Sequence, residues 1–320
     1  MGDVIIIGNI ASDYFLDSKW PETKKEGLPS VCYPVGAKIF VEEMGILTGG
    51  GGFNSSVTFS RMGLKTSYFG KIMKDSQGEK FLKDLRKEKI KFIGIRGKGI
   101  GAHSIILDTL KHHRTIFVFK GKDNNIHFKN LKGEKPRWFY FSSMIKDSLK
   151  AQQEFARYAK KNGIKVAYNP SEYLIRGERK AVLKLVKKID VLILNKEEAE
   201  LLTGSEEKVS EKLIDLGPEI ICITDGKNGA IAYDCENSRT YSVLTNPIKV
   251  KETAGAGDAF ASGFISALIK GKELKFALEL GITNAEKVIQ YTGASEKILT
   301  WDEALREIKR RPHKVRVAKW

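Results

Sequence analysis

No apolar run in this chain of 320 residues approaches the roughly 18 residues that a membrane-spanning helix needs. Cysteine is scarce. Cys32, Cys222 and Cys235 are odd in number and form no C-x-x-C pair. That argues against a disulfide framework and against a zinc site, and it points to a reducing, cytoplasmic setting. The five histidines, His103, His112, His113, His127 and His313, fall into no H-E-x-x-H or comparable metal spacing. No G-x-x-x-x-G-K-[ST] is present, which excludes a P-loop, and no H-R-D or D-F-G set is present either. Internal repeats, low-complexity stretches and clear linkers are also missing, so residues 1–320 read as one large domain.

What is present is an ordinary globular balance, 42% hydrophobic and 29% charged. The net charge is +16. It has two readings: a lysine-rich solvated exterior, or a surface for nucleic acid or anionic substrates. The basic residues are dispersed except at Arg306 to Lys319, which includes Lys309-Arg310-Arg311. No nucleic-acid motif accompanies them, so nucleic acid is not the expected partner. Attraction of phosphorylated substrates survives either reading.

Val4–Ile7 reads as a first buried strand and not as a targeting segment, since Asp3 stands where a signal peptide carries a basic flank. Asn54–Met62 and Gly78–Lys89 carry helical stripes. From Arg137 onward strands and helices alternate. Strands are expected at Trp138–Phe141, Lys165–Tyr168, Val191–Leu194 and Ile220–Thr224. Helices are expected at Ser148–Asn162, Lys180–Lys188, Lys196–Leu202 and Val209–Leu216. This pattern predicts an α/β fold with a doubly wound, mostly parallel sheet, whose ligands collect at the carboxyl ends of the strands. Two regions break the alternation. Asp17–Leu47 contains β runs at Val31–Val35 and Lys38–Val41, and Ile105–Leu110 with Thr115–Phe119 suggests a hairpin. Together, about 14–48 and 102–122 predict a small β-sheet lid over the strand ends.

Four motifs carry chemistry. Glu252-Thr253-Ala254-Gly255-Ala256-Gly257-Asp258 leads into an apolar helix at Phe260, Phe264, Ala267 and Leu268. Small residues at a helix start let backbone N–H groups converge on an anion. Asp258 in the first turn is either a helix-start preference or a base beside an anion cradle. Gly49-Gly50-Gly51-Gly52-Phe53-Asn54 is either a flexible turn or a place where backbone approaches a ligand, with Asn54 offering both donor and acceptor. Asp13 is either a loop cap or an acceptor for two hydroxyls. Asn195-Lys196-Glu197-Glu198 is either a charged helix start or a carboxylate site for hydrated Mg²⁺, with Glu197 the exposed member.

At these residues the chain resembles the ribokinase-like (PfkB) carbohydrate kinases. Their C-terminal signature, D-T-x-G-A-G-D, differs here only at Glu252. Gly49-Gly50 and Asn54 match their G-G-x-x-x-N, Asp13 their G-x-x-x-x-D, and Asn195 with Glu198 their N-x-x-E. Softer matches are Thr224-Asp225-Gly226-Lys227-Asn228-Gly229, Asn284, and the hairpin pair Arg114-Thr115. The matches are collinear from about residue 4 to about 298.

The resemblance implies an α/β/α sandwich that phosphorylates a hydroxyl of a sugar or sugar-like acceptor with ATP and Mg²⁺. It implies Asp258 as base and Ala254, Gly255, Ala256 and Gly257 as the cradle for the transferring phosphate. Asp13, Gly49, Gly50 and Asn54 would hold the acceptor. Asn195, Thr224, Gly226 and Asn284 would border the nucleotide. Glu198 would reach Mg²⁺ through water, and Glu252 marks a site for a monovalent cation. It further implies a homodimer joined through the lid. A nucleoside kinase of the same fold, with Phe40, Phe53, Phe117 or Phe119 lining the acceptor, is the near alternative. A non-catalytic nucleic-acid-binding protein is the remote one. The acceptor, and ATP against ADP as donor, stay open.

Overall fold

The computed structural model describes residues 2–109, 114–121, 125–131, 133–291 and 293–320. Its strands, in chain order, are β1 (Val4–Ile7), β2 (Ala11–Trp20), β3 (Thr23–Lys25), β4 (Leu28–Ser30), β5 (Glu43–Gly49), β6 (Thr66–Phe69), β7 (Lys71–Met73), β8 (Lys91–Phe92), β9 (Ile95–Gly97), β10 (Ala102–Thr109), β11 (Arg114–Phe119), β12 (Trp138–Ser142), β13 (Lys165–Asn169), β14 (Val191–Asn195), β15 (Ile220–Thr224), β16 (Ala230–Asp234), β17 (Arg239–Val243) and β18 (Arg316–Lys319). The α-helices are α1 (Gly51–Arg61), α2 (Ser76–Lys87), α3 (Asp147–Asn162), α4 (Glu172–Val186), α5 (Lys196–Thr203), α6 (Val209–Ile214), α7 (Ala256–Ile269), α8 (Leu274–Val288) and α9 (Trp301–Arg310).

Among the described residues the main sheet has ten strands in the order β18-β17-β16-β15-β14-β13-β12-β1-β6-β8. It is parallel from β8 to β15 and antiparallel from β15 to β18. Alternate residues of β1 enter different cores. Val4 and Ile6 pack with α1, α7 and α8 on one face, whereas Ile5 and Ile7 pack with α3, α4 and α5 on the other. A strand buried on both faces has no polar side to show, which is why β1 is uniformly apolar. The chain order reverses at β1, with β6 on one side and β12 on the other. A crevice at the carboxyl ends is built into that reversal.

A second sheet, β11-β10-β2-β5, rises from the same edge. Its makeup corrects several expectations. Val31–Val35 and Lys38–Val41 are not strands: the chain over 31–41 is irregular, with a turn at Val35-Gly36. Pro34 lacks an N–H, and Val35 and Phe40 are exposed, so this stretch has neither a ladder nor a face to bury. The strands that do form are β2 and β5, paired antiparallel from Ala11↔Gly49 to Asp17↔Glu43. Asp13 therefore sits inside a strand and not in a loop. The predicted helix Lys180–Lys188 begins at Glu172 instead. Glu178, at φ −136°, follows Gly177 and interrupts the periodicity there. The basic terminus forms α9 and then β18, an exposed edge strand whose charges discourage further strand pairing. Arg114 of the R-T pair, as a side chain, lies outside the described residues, as do His112 and His113.

Candidate active site

The site grows from the start of two helices. Gly50, at φ +90°, ends the turn after β5 and opens α1, so Asn54 projects from the first turn of that helix. Gly255, at φ +77°, is the N-cap of α7, and a Cβ on it would overlap Ala294, so no L-residue fits either its dihedral or its space. α7 is buried nearly all round between α1, α8 and the sheet. That packing delivers Asp258 to Asn54: Asn54 Nδ2 donates to Asp258 Oδ2 at 2.8 Å.

Asp258 is half-buried, and burial pushes its carboxyl above the ordinary range; the Asn54 bond and the Lys120 ammonium pull it back. Asp258 Oδ1 faces a different neighbour. A methyl on Gly51 would lie 3.2 Å from that oxygen and 3.3 Å from Ser142 Cβ, so Gly51 keeps the oxygen clear. The Gly257 and Asp258 amides belong to the first turn of α7, where no intrahelical carbonyl reaches them. A carboxylate oxygen and two such amides at a helix start can accept a proton and hold an anion side by side.

Asp13 forms the opposite wall. A Cβ on Gly49 would overlap its carboxylate, which fixes glycine at that position. Burial lifts Asp13 to about 6, against the bond from its register partner Ser104 and the field of Lys120; the charges of Asp258 and Glu252 lift it further. Asp13 Oδ1, Asn54 Oδ1 and Ser142 Oγ are all buried with no hydrogen-bond partner. Buried polar atoms normally find one. A polyhydroxylated ligand would supply what these three lack, since each sugar hydroxyl both donates and accepts.

The remaining candidates lie along the same edge. Asn195 and Thr224 are register partners at the carboxyl ends of β14 and β15. Asn195 caps α5: its side chain accepts from Glu198 N at 2.7 Å, and Glu198 Oε2 accepts from Asn195 N at 2.8 Å. Both members of N-x-x-E thus serve the helix start, and Glu197 is exposed. Burial raises Glu198 to about 7, with bonds from the Asn195 and Glu172 amides opposing it. Gly226 opens a short turn through Asn228 just beyond Thr224. Glu252 Oε2 accepts from Gly293 N at 2.9 Å, tying the glycine turn to the segment after α8. Among the described residues no cluster of three or more His, Cys, Asp or Glu is disposed to hold a metal.

Asn284 is not with them. Its amide donates to Ala259 O at 2.8 Å and accepts from Leu299 N at 3.1 Å, and it is fully buried. It braces the helix that carries Asp258. Sequence reasoning missed Gly51, Ser104, Ser142 and Lys120. Lys120 stands just past β11 with its ammonium 4.1 Å from the Tyr173 ring centre. Nothing marked it among 55 lysines and arginines.

Known proteins resemble this chain in sequence and in fold. The model of the pfkB family of carbohydrate kinases matches residues 31–301. The chain is 28% identical over 259 residues to an ATP-dependent 6-phosphofructokinase of Thermoanaerobacterium thermosaccharolyticum, covering 77% of this chain and 80% of that one. It is 27% identical over 281 residues to a 5-dehydro-2-deoxygluconokinase of Clostridium perfringens, covering 81% and 82%. Among solved structures, the nucleoside kinase of Methanocaldococcus jannaschii, an archaeal member of the ribokinase family, superposes with a TM-score of 0.82 at 18% identity, covering 97% and 99% of the two chains.

Proposed function

The chain belongs to the pfkB family of carbohydrate kinases, and on that premise we propose that it transfers the γ-phosphoryl group of ATP to a hydroxyl of a sugar. The observation that carries this reading is the pairing of Asp258 with Asn54 at a glycine-framed helix start, facing orphaned acceptors on Asp13 and Asn54. The acceptor lies between the small sheet and the main one. Asp13, Asn54 and the backbone at Gly49 and Gly50 orient it with one hydroxyl at Asp258 Oδ1. Asp258 takes that proton as the acceptor oxygen bonds to phosphorus and the bond from the γ-phosphorus to the β-γ bridging oxygen breaks, releasing ADP. The amides of the Ala254–Gly257 turn and the start of α7 stabilise charge on the transferring group. The nucleotide extends past Thr224 and Gly226. Asn284 acts at one remove, by holding α7.

Mg²⁺ bound to the nucleotide neutralises phosphate charge. The residues fit it in a limited way. Glu198 offers a single carboxylate, which suits an ion that keeps its waters and binds chiefly through phosphates. Glu252, whose Oε2 accepts from Gly293 N, is the residue we assign to the surroundings of a monovalent cation. The small sheet serves as a lid that excludes water. Its outer row Phe117, Ile105 and Ile46 is exposed and apolar, which supports a dimer formed lid to lid. The unpaired cysteines support a cytoplasmic setting, and among the described residues no helix is long and apolar enough to cross a membrane.

The test is ADP release by the purified protein with ATP and a panel of sugars, sugar acids, sugar phosphates and nucleosides, with the product identified by phosphorus NMR. Transfer to a sugar hydroxyl supports the reading. A nucleoside as the only acceptor moves it to the neighbouring activity, and no transfer to any acceptor rejects it.

A further inference from the structure

The segment 244–255 joins β17 to the glycine turn at Gly255 and has no helix or strand before that turn. Thr245 Oγ1 donates to Lys227 O at 2.6 Å, which ties the segment to the short turn beyond Thr224. Lys251 N and Glu252 N donate to Ile289 O at 2.8 and 3.1 Å, which ties it to the end of α8. Between these points no ladder or helix fixes the chain, so side chains must hold it.

The hold comes from the far end of the protein. From Leu305 to Trp320, His313 alone is buried. Its Nε2 lies 3.0 Å from Glu286 Oε1 and 2.8 Å from the Asn246 side-chain amide, and Thr283 Oγ1 stands 3.5 Å from Nδ1. A carboxylate only accepts, so Nε2 presents a proton to Glu286. The same Glu286 oxygen accepts from Asn246 N at 2.6 Å. The His313 N–H donates to Glu279 Oε1 at 2.9 Å. Glu279, Thr283 and Glu286 recur at helical spacing, so one face of α8 receives the ring. Another face carries Asn284, which braces α7. Both the 244–255 segment and the helix of Asp258 are thus fixed to α8. The tail has its own anchor without the ring: β18 pairs with β17, and Trp320 N donates to Ser238 O at 3.2 Å. The buried imidazole therefore answers to the segment it touches.

We propose that His313 is a positioning residue for the nucleotide. Through Glu286 and Asn246 it clasps the 244–255 segment to α8, and this sets the segment against the Thr224–Gly226 side of the site, where ATP lies. The inference rests on the kinase reading and adds to it a residue from the chain's last stretch.

The experiment measures the calorimetric Kd for ATP with Mg²⁺, then kcat and both KM values with the acceptor that the panel selects, in the wild type, His313→Leu, His313→Gln, Asn246→Ala and Lys314→Ala. His313→Leu should weaken ATP binding and raise the KM for ATP about 10-fold or more, the scale of a hydrogen bond to a charged group. The acceptor KM and kcat should change by less than about 2-fold. His313→Gln places an amide N–H near the position of Nε2 and should restore most of the loss. Asn246→Ala cuts the clasp from the segment's side without removing the ring, so it carries the test where melting curves show His313→Leu unfolded, and it should show the same loss for ATP alone. Lys314 is exposed, and Lys314→Ala should leave every constant unchanged. A folded His313→Leu or Asn246→Ala with wild-type affinity for ATP overturns the inference and leaves the kinase reading standing. So does an equal loss for ATP and acceptor, or a His313→Gln protein no better than His313→Leu. A wild type that binds ATP but transfers to no acceptor rejects the kinase reading alone, and the Kd values then decide the clasp. Absence of ATP binding in the wild type overturns both.

Discussion

Asn54 and Asp258 are 204 residues apart in sequence and joined by a 2.8 Å hydrogen bond between the first turns of α1 and α7. The bond holds one carboxylate oxygen and leaves the other toward Gly51. It also lowers a carboxyl that burial raises. Asn54→Ala should therefore lose about 10- to 10²-fold in kcat, the worth of a hydrogen bond to a charged group. Because only the Lys120 ammonium then opposes burial, the acid limb of its kcat/KM profile should move to higher pH than in the wild type. A profile that stays in place would show that Asp258 is not the group titrating.

Gly49 answers to Asp13 in the same geometric sense. A methyl there must displace the carboxylate that lies over it. Gly49→Ala should raise acceptor KM by about 10-fold or more while kcat changes less, because binding contacts made in both ground and transition states are lost. Gly177→Ala, where a methyl meets open space, is the matched control and should leave both constants alone.

Asp13 couples stability to pH. Its value in the folded protein, about 6, lies above the ordinary 3.8, so the folded state holds the proton more tightly than the unfolded chain. The stabilisation this gives is complete below the unfolded value and is lost as pH rises through the folded one. At about pH 8 the ionised, buried carboxylate is thus a liability that Asp13→Asn removes. The variant should melt higher than the wild type there, by a margin that shrinks as pH falls toward about 4, while kcat/KM drops about 10-fold or more. An unchanged pH dependence of melting would remove Asp13 from the account.

Asn284 separates a bracing role from a nucleotide contact. Asn284→Ala strands Ala259 O and Leu299 N in the core, which should cost about 2–4 kcal/mol of stability. The KM for ATP should change little. A large rise in that KM with normal melting would place the amide against the nucleotide instead.

Much of this molecule was legible in its sequence, for stated reasons. β1, β12 to β15 and α1 to α3 could be read because each is either buried on both faces or amphipathic with one period, and because glycines end several of the helices. The Asp258 turn was legible as a helix start because small residues with an acid in the first turn precede an apolar helical stripe. The lid was the weak point. β2 carries Asp13 and Asp17 within its length, and its apolar residues face other lid strands, so no strand period stands out. Exposed Val35 and Phe40 suggested strands that the chain does not make. Lys120, Ser142 and Ser104 were silent because a lysine or serine takes its role from where the fold puts it. Asn284 was legible as a position and ambiguous as a role: the same amide chemistry that suits a purine also suits a helix brace.

The central claim is that Asp258 removes the acceptor proton, and the turnover number of Asp258→Asn tests it most directly. The substitution keeps the shape and one hydrogen-bonding oxygen beside Asn54, so folding and ATP binding should persist. The account predicts that kcat falls about 10²- to 10⁴-fold at every pH, with no acid limb left in the profile. A folded Asp258→Asn protein that turns over at the wild-type rate would contradict it.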